Sequence, residues 1–318
     1  MSKPHRILAL SGGVGGAKLA LGLSRILPPG DLTVIANTGD DFEHLGLAIS
    51  PDLDTLLYTL AGLDNPATGW GQRDETWQFM AALKALGGET WFNLGDRDLA
   101  THVERTRRLG AGETLSQVMD DFRRRLGIAT RILPMSDDPV RTQVQTGEGW
   151  LDFQDYFVRR RCEPKIAAIA FRGADTAKPH PDFPAALNDP AVRAIVICPS
   201  NPFISIEPIL ALPGVRATLR ASRAPVIAVA PIIGGKAVKG PTAKMMRELG
   251  LDISAASVAR RYGDLIDAYV VDHADAASCA ALDCQVSPAK ALMETLDDRE
   301  ALAHIVLQTA DRLLERAS

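Results

Sequence analysis

Arg6-Ile7-Leu8-Ala9-Leu10-Ser11-Gly12-Gly13-Val14-Gly15-Gly16-Ala17-Lys18-Leu19 is the stretch on which the fold turns. Its apolar run shows no polar alternation, which is the pattern of a strand buried on both faces, and glycines separate it from a helical pattern. Strand, glycine turn and helix in that order set a helix N-terminus over the end of the strand. Glycine there lets the chain turn tightly and lets a phosphate approach the N–H groups of the first helical turn. Neither stock motif fits. A G-x-G-x-x-G fingerprint begun at Gly13 would need glycine where Lys18 stands, and a Walker loop would need glycine at Ala17 and a hydroxyl residue in place of Leu19. The turn is either a phosphate site or a tight corner between strand and helix, and its place after the first strand favours the site.

Outward from this unit, short β-branched runs recur at residues 32–36, 166–171, 194–198, 226–230 and 268–271. Segments such as 17–26 and 241–250 are long enough to be crossover helices between them. The expectation is an α/β fold: a doubly wound, mainly parallel Rossmann-like sheet. Two stretches break the rhythm. Residues 53–126 are helical in pattern and carry Trp70, Trp77 and Trp91, with arginines at 107–108 and 123–125, which reads as a helical insertion over the carboxyl edge of the sheet. Residues 140–160 alternate around Gly147-Glu148-Gly149, the pattern of a short antiparallel hairpin. One α/β domain over residues 1–318 follows, with a nucleotide-binding core at 1–52 and 127–318 and an insertion at about 53–126.

The chain has 318 residues, 46% hydrophobic and 23% charged, with a formal net charge of −4. That composition supports a sizeable core and argues against disordered, collagen-like and membrane-spanning classes. A mildly acidic balance offers no basic field for nucleic acid or anionic membrane, so an anionic substrate needs local capture. The four cysteines form no C-x-x-C pair and are too sparse for a disulfide framework, so they are expected to be reduced thiols. The apolar run near the N-terminus is too short for a secretion signal, and a cytoplasmic location is expected. The six histidines show no metal-ligand spacing.

Two acidic turns follow the second strand: Asn37-Thr38-Gly39-Asp40-Asp41 and Ser50-Pro51-Asp52-Leu53-Asp54-Thr55. An NAD enzyme carries a carboxylate at the tip of that strand, where this chain has the neutral Asn37. Carboxylates beside a phosphate site ordinarily hold Mg²⁺, since bare negative charge next to phosphate is unfavourable. Turn formation and helix capping are the plainer roles for the same residues. The loops Pro199-Ser200-Asn201-Pro202 and Pro231-Ile232-Ile233-Gly234-Gly235-Lys236 leave strands at the same carboxyl edge, where doubly wound sheets bind ligands.

Taken in order, residues 11–19, 37–41, 46–47, 51–55, 69–77, 94–102, 134–138, 153–155, 199–202 and 231–236 resemble the 2-phospho-L-lactate transferase family of coenzyme F420 biosynthesis. Gly-Trp-Gly-x-x-Asp-Glu-Thr-Trp at 69–77 and Leu-Gly-Asp-Arg-Asp-Leu-Ala-Thr-His at 94–102 resemble its bacterial branch. The likeness thins near Ala289-Lys290-Ala291, where members often show Thr-Asp-Thr. The resemblance implies transfer of a phospho-three-carbon-acid group (phospholactyl, phosphoenolpyruvyl or phosphoglyceryl) from a guanosine diphosphate-activated donor to the ribityl hydroxyl of the deazaflavin Fo. GMP is released, Mg²⁺ is required and a homodimer is expected. It implies donor contacts from Gly12, Gly13, Gly15, Gly16, Ser200 and Asn201. Asp41 and Asp54 are implied as catalytic Mg²⁺ ligands, Asp54 also meeting the acceptor hydroxyl. Trp91, Asn93, Asp96 and Met135 are implied as the deazaflavin pocket. A nucleotide-sugar-binding regulator resembling gluconeogenesis factor is the alternative, since those proteins share the early Ser-Gly-Gly loop.

Overall fold

A computed structural model describes residues 5–238 and 240–317. Its centre is a seven-stranded sheet in which every neighbouring pair is parallel. In chain order the strands are β1 (Arg6–Ser11), β2 (Leu32–Ala36), β3 (Arg131–Pro134), β4 (Val192–Ile197), β5 (Val226–Val229), β6 (Ala268–Asp272) and β7 (Gln285–Ala289). Their spatial order is β7-β6-β5-β4-β1-β2-β3. The chain therefore winds outward in two directions from the β1/β4 pair. The helical segments that follow β1 and β4 lie on opposite faces of the sheet, leaving a crevice at its carboxyl edge.

β1 shows why the apolar run is continuous. Ile7 and Ala9 enter one buried layer, and Leu8 and Leu10 enter the other, so both faces of the strand are covered. On the first face lie helix α1 (Gly13–Ile26), α2 (Pro51–Ala61) and the terminal helix Leu296–Ala317. On the second lie residues 202–220, the helices Thr242–Glu248 and Ala255–Tyr262, and a small antiparallel sheet.

That small sheet corrects one expected strand. Ile166–Arg172 is not part of the parallel sheet; it runs antiparallel to Arg141–Thr146, which also pairs with Gly149–Asp152 in the expected hairpin. Residues 153–165, which include the π-helical turn Asp155–Arg159, carry the chain past Arg141–Thr146 to its other edge. Ile166–Arg172 therefore runs in the same direction as Gly149–Asp152 and antiparallel to the strand between them. Two parallel strands, β3 and β7, went unread because edge strands carry polar residues and proline, here Arg131, Pro134, Gln285 and Pro288.

The connection from β2 to β3 holds the hairpin Phe42–His44/Leu47–Ile49, α2, α3 (Gln78–Ala85), α4 (Asp96–Gly110) and α5 (Leu115–Arg125). Leu53, Leu56 and Leu57 of α2 are buried with the sheet, so this helix is a crossover element and carries the second acidic turn into contact with the glycine loop. Among the described residues no helix is long and apolar enough to cross a membrane.

Candidate active site

The glycine loop is first of all a close-packed corner. Gly12 caps α1, and Gly13 sits at φ +64°, a conformation that side chains rarely adopt. A Cβ on Gly12 would lie 2.6 Å from both Asp52 Oδ2 and Ser205 Cβ, and one on Gly15 would collide with the Pro199 carbonyl oxygen. Gly16 is pressed against Ser11 and Ser200. The loop after β4 is thus locked onto the start of α1, with the Gly12 N–H donating to Ser200 Oγ at 3.1 Å.

Two carboxylates complete this corner. Asp52, in the first turn of α2, accepts the Gly13 N–H on Oδ1 at 2.7 Å and the Asn37 amide on Oδ2 at 2.9 Å. Burial pushes its carboxyl up to about 6, against the pull of those two donors. Asp40 is raised well above the usual carboxylate range by burial and by the neighbouring Asp52 charge, and its Oδ1 has no hydrogen-bond partner. Two neighbouring buried acids, one with an orphaned oxygen, are the donor set a hard divalent cation takes.

The implied pair Asp41 and Asp54 is placed differently. Asp41 accepts Ser50 Oγ at 2.8 Å, and burial pushes its carboxyl up to about 7. Asp54 points into a buried network: the Arg105 guanidinium binds both of its oxygens, one at 3.1 Å, and reaches the Ala48 carbonyl at 3.2 Å. His102 bridges from Asp54 (Nδ1–Oδ2 3.6 Å) to Asp98 (Nε2–Oδ2 3.3 Å), and Tyr58 donates to Asp98. Ligand-type atoms of Asp54, Asp98 and His102 lie within 4.8 Å of one another. A fully buried arginine already neutralises Asp54, however, so the group is an internal ion network.

A cavity of about 510 Å³ opens at this corner. Gly12, Gly13, Gly15, Ser200 and Asn201 form one wall, with Asp40 and Asp52 beside them. Trp70, Phe92, Phe153 and Phe157 supply an aromatic patch, Phe153 and Phe157 stacking with centroids 5.3 Å apart, and Asn93, Gln154 and Thr55 add polar groups. Asp41 and Asp54 do not line it. Ala291 and Met293 close another side, and Lys18 reaches across to donate to the Met293 carbonyl at 2.7 Å. The C-terminal segment where the family likeness thins is thus part of the cavity wall.

Of the implied deazaflavin residues, Asn93 alone lines the cavity. Trp91 stands behind Phe92, packed edge-on against His44 with centroids 5.0 Å apart. The Asp96 carboxylate accepts the Gln78 and Phe79 N–H groups and so caps α3. Met135 is fully buried in the core. Phe153, Gln154 and Phe157 were missed as wall residues, although Phe-Gln-Asp-Tyr-Phe over 153–157 is an aromatic cluster visible in the sequence; what could not be read is the π-helical turn that aims it at the crevice.

A family model described as 2-phospho-L-lactate transferase CofD matches residues 7–309. The chain belongs to this family. A relative from Kitasatospora aureofaciens, named phosphoenolpyruvate transferase, is 44% identical over 98% of this chain and 98% of its own length. A 2-phospho-L-lactate transferase from Methanosarcina mazei is 40% identical over 95% of this chain and 99% of its own. Among solved structures, a UPF0052-family protein of Bacillus halodurans superposes with a TM-score of 0.65 at 14% identity, over 96% of this chain and 99% of that one. At that identity the likeness concerns the fold alone.

Proposed function

We propose that this chain moves a phospho-three-carbon-acid group from a guanosine diphosphate-activated donor to the ribityl hydroxyl of Fo, releasing GMP, in coenzyme F420 biosynthesis. The observation that carries the reading is the single cavity in which the glycine loop, the acidic pair and the aromatic patch meet. Membership of the family, with relatives named for phosphoenolpyruvate and 2-phospho-L-lactate transfer, supports it. A diphosphate suits the start of α1, where helix N–H groups favour anions. A flat ring with a polar tail suits the patch of Trp70, Phe92, Phe153 and Phe157 with Asn93 at its margin.

Asp40 and Asp52 are the residues that would hold Mg²⁺, in place of Asp41 and Asp54. When bound, the ion would offset the negative charge that gathers on the departing nucleotide. In the reaction the ribityl oxygen bonds to the distal phosphorus as the bond from that phosphorus to the GMP oxygen breaks. The hydroxyl proton leaves to water as the new bond forms, since Asp40 and Asp52 would both be committed to the cation. Gly12, Gly13, Gly15, Ser200 and Asn201 orient the donor, and no covalent protein nucleophile takes part. The same reading includes a cytoplasmic homodimer, which sedimentation equilibrium checks at the level of assembly.

The test is incubation of the purified protein with Mg²⁺, Fo and the guanosine-activated phospholactyl, phosphoenolpyruvyl and phosphoglyceryl donors in competition. GMP and a deazaflavin product of matching mass are expected, and the mass identifies the acid. The Kitasatospora relative supports the enolpyruvyl donor as the first to try. No product from any of the three would overturn the proposal.

A further inference from the structure

We propose that Asn37 is a positioning residue for the cation site, acting through the carboxylate of Asp52; this rests on the reading of Asp40 and Asp52 as the ligands. Asn37 directly follows β2 and is fully buried. Its amide nitrogen donates to Asp52 Oδ2 at 2.9 Å and to the Ile204 carbonyl at 3.1 Å, and its oxygen accepts the Gly39 N–H at 2.9 Å. Both donors of the side chain are therefore spent, and three segments are tied together: the loop bearing Asp40, the first turn of α2 and the loop after β4.

The consequence falls on Asp52. One of its oxygens is fixed by the backbone of α1 and the other by Asn37, so the carboxylate cannot turn about its own bond without losing a buried hydrogen bond. Each oxygen keeps acceptor capacity for a cation, and partners of this kind orient metal-binding carboxylates. The chemistry also explains why this strand tip carries an amide. An aspartate at position 37 could accept the Gly39 N–H but could not donate to Asp52, and it would set a third negative charge beside Asp40 and Asp52. The feature that argues against NAD binding is the one that holds the acidic pair in order.

The experiment measures Mn²⁺ binding, with no substrate, by the electron paramagnetic resonance of the free ion. It compares the wild type with Asn37→Ala, Asp52→Asn and the double variant, each checked for folding by thermal melting. Asn37→Ala is expected to weaken Mn²⁺ roughly 10–100-fold, the range for loss of a ligand-orienting partner. In the Asp52→Asn background the same change is expected to cost no further affinity, because the route through Asp52 is already cut. Additive losses, or unchanged affinity in Asn37→Ala, overturn the proposal. Asn37→Leu, close to the native side chain in size and with no donor at all, carries the same comparison if the alanine variant does not fold. Absence of Mn²⁺ binding in the wild type defeats the ligand assignment and this proposal with it, whereas wild-type binding that Asn37 variants leave untouched defeats the proposal alone.

Discussion

The glycines of the first loop have more to do than admit a phosphate. Gly15 faces the Pro199 backbone, which cannot rotate aside as a side chain could, so Gly15→Ala forces the loops after β1 and β4 apart. Overpacking of this sort costs about 1–3 kcal/mol, and the denaturant midpoint should fall accordingly. Gly110→Ala, in the last turn of α4 with nothing within 4 Å of its added carbon, should raise the midpoint slightly, because alanine is the better helix former. Equal effects from the two would show that the corner is looser than described. At this scale residue identity was legible and orientation was not. Pro51–Thr55 stood out as an acidic turn, yet the helical period of α2 turns Asp52 to the glycine loop and sends Asp54 to the opposite side, toward α4. Sequence spacing alone treats the two carboxylates alike.

At the scale of elements, α2 and α4 are joined by the Asp54–Arg105 pair, and removing one partner leaves the other charged and buried. Asp54→Asn should therefore destabilise the protein by about 3–5 kcal/mol, seen as a large drop in melting temperature, instead of acting only on turnover. The double variant Asp54→Asn with Arg105→Gln removes both charges and should recover much of that loss. An Asp54→Asn protein that melts like the wild type would return Asp54 to the list of chemical groups. The elements themselves were legible where burial is two-sided: β1, β2, β4, β5 and β6 read as apolar runs. Ile166–Arg172 read the same way but pairs antiparallel, since an apolar run reports burial and not the direction of its neighbour. The aromatic patch was obscured for a related reason, because Trp91 and Phe92 are adjacent and only the turn decides which ring faces the cavity.

For the whole molecule, the acidic corner makes stability depend on pH in an unusual direction. Asp41 at about 7, Asp52 at about 6 and the raised Asp40 all lie above the value near 3.9 of an unfolded aspartate. Between about pH 4 and 7 these three groups bind more protons in the native state than in the unfolded chain, so their contribution to stability falls as pH rises through that window. His44 and His180, lowered by burial, act in the opposite sense. The usual paired carboxylate behaves oppositely. The chain keeps this cost in a fold whose crevice lies at the β1/β4 divergence, and a cation bound there to the ionised pair offsets it by mass action, about 2.7 kcal/mol at a hundredfold excess over Kd. Mg²⁺ should raise the melting temperature little at pH 5, where protons compete for Asp40 and Asp52, and clearly more at pH 8. Asp52→Asn should flatten the difference. A Mg²⁺ shift of equal size at both pH values, or one that survives in Asp52→Asn, would separate the cation from this corner and leave the buried acids to be explained by packing alone.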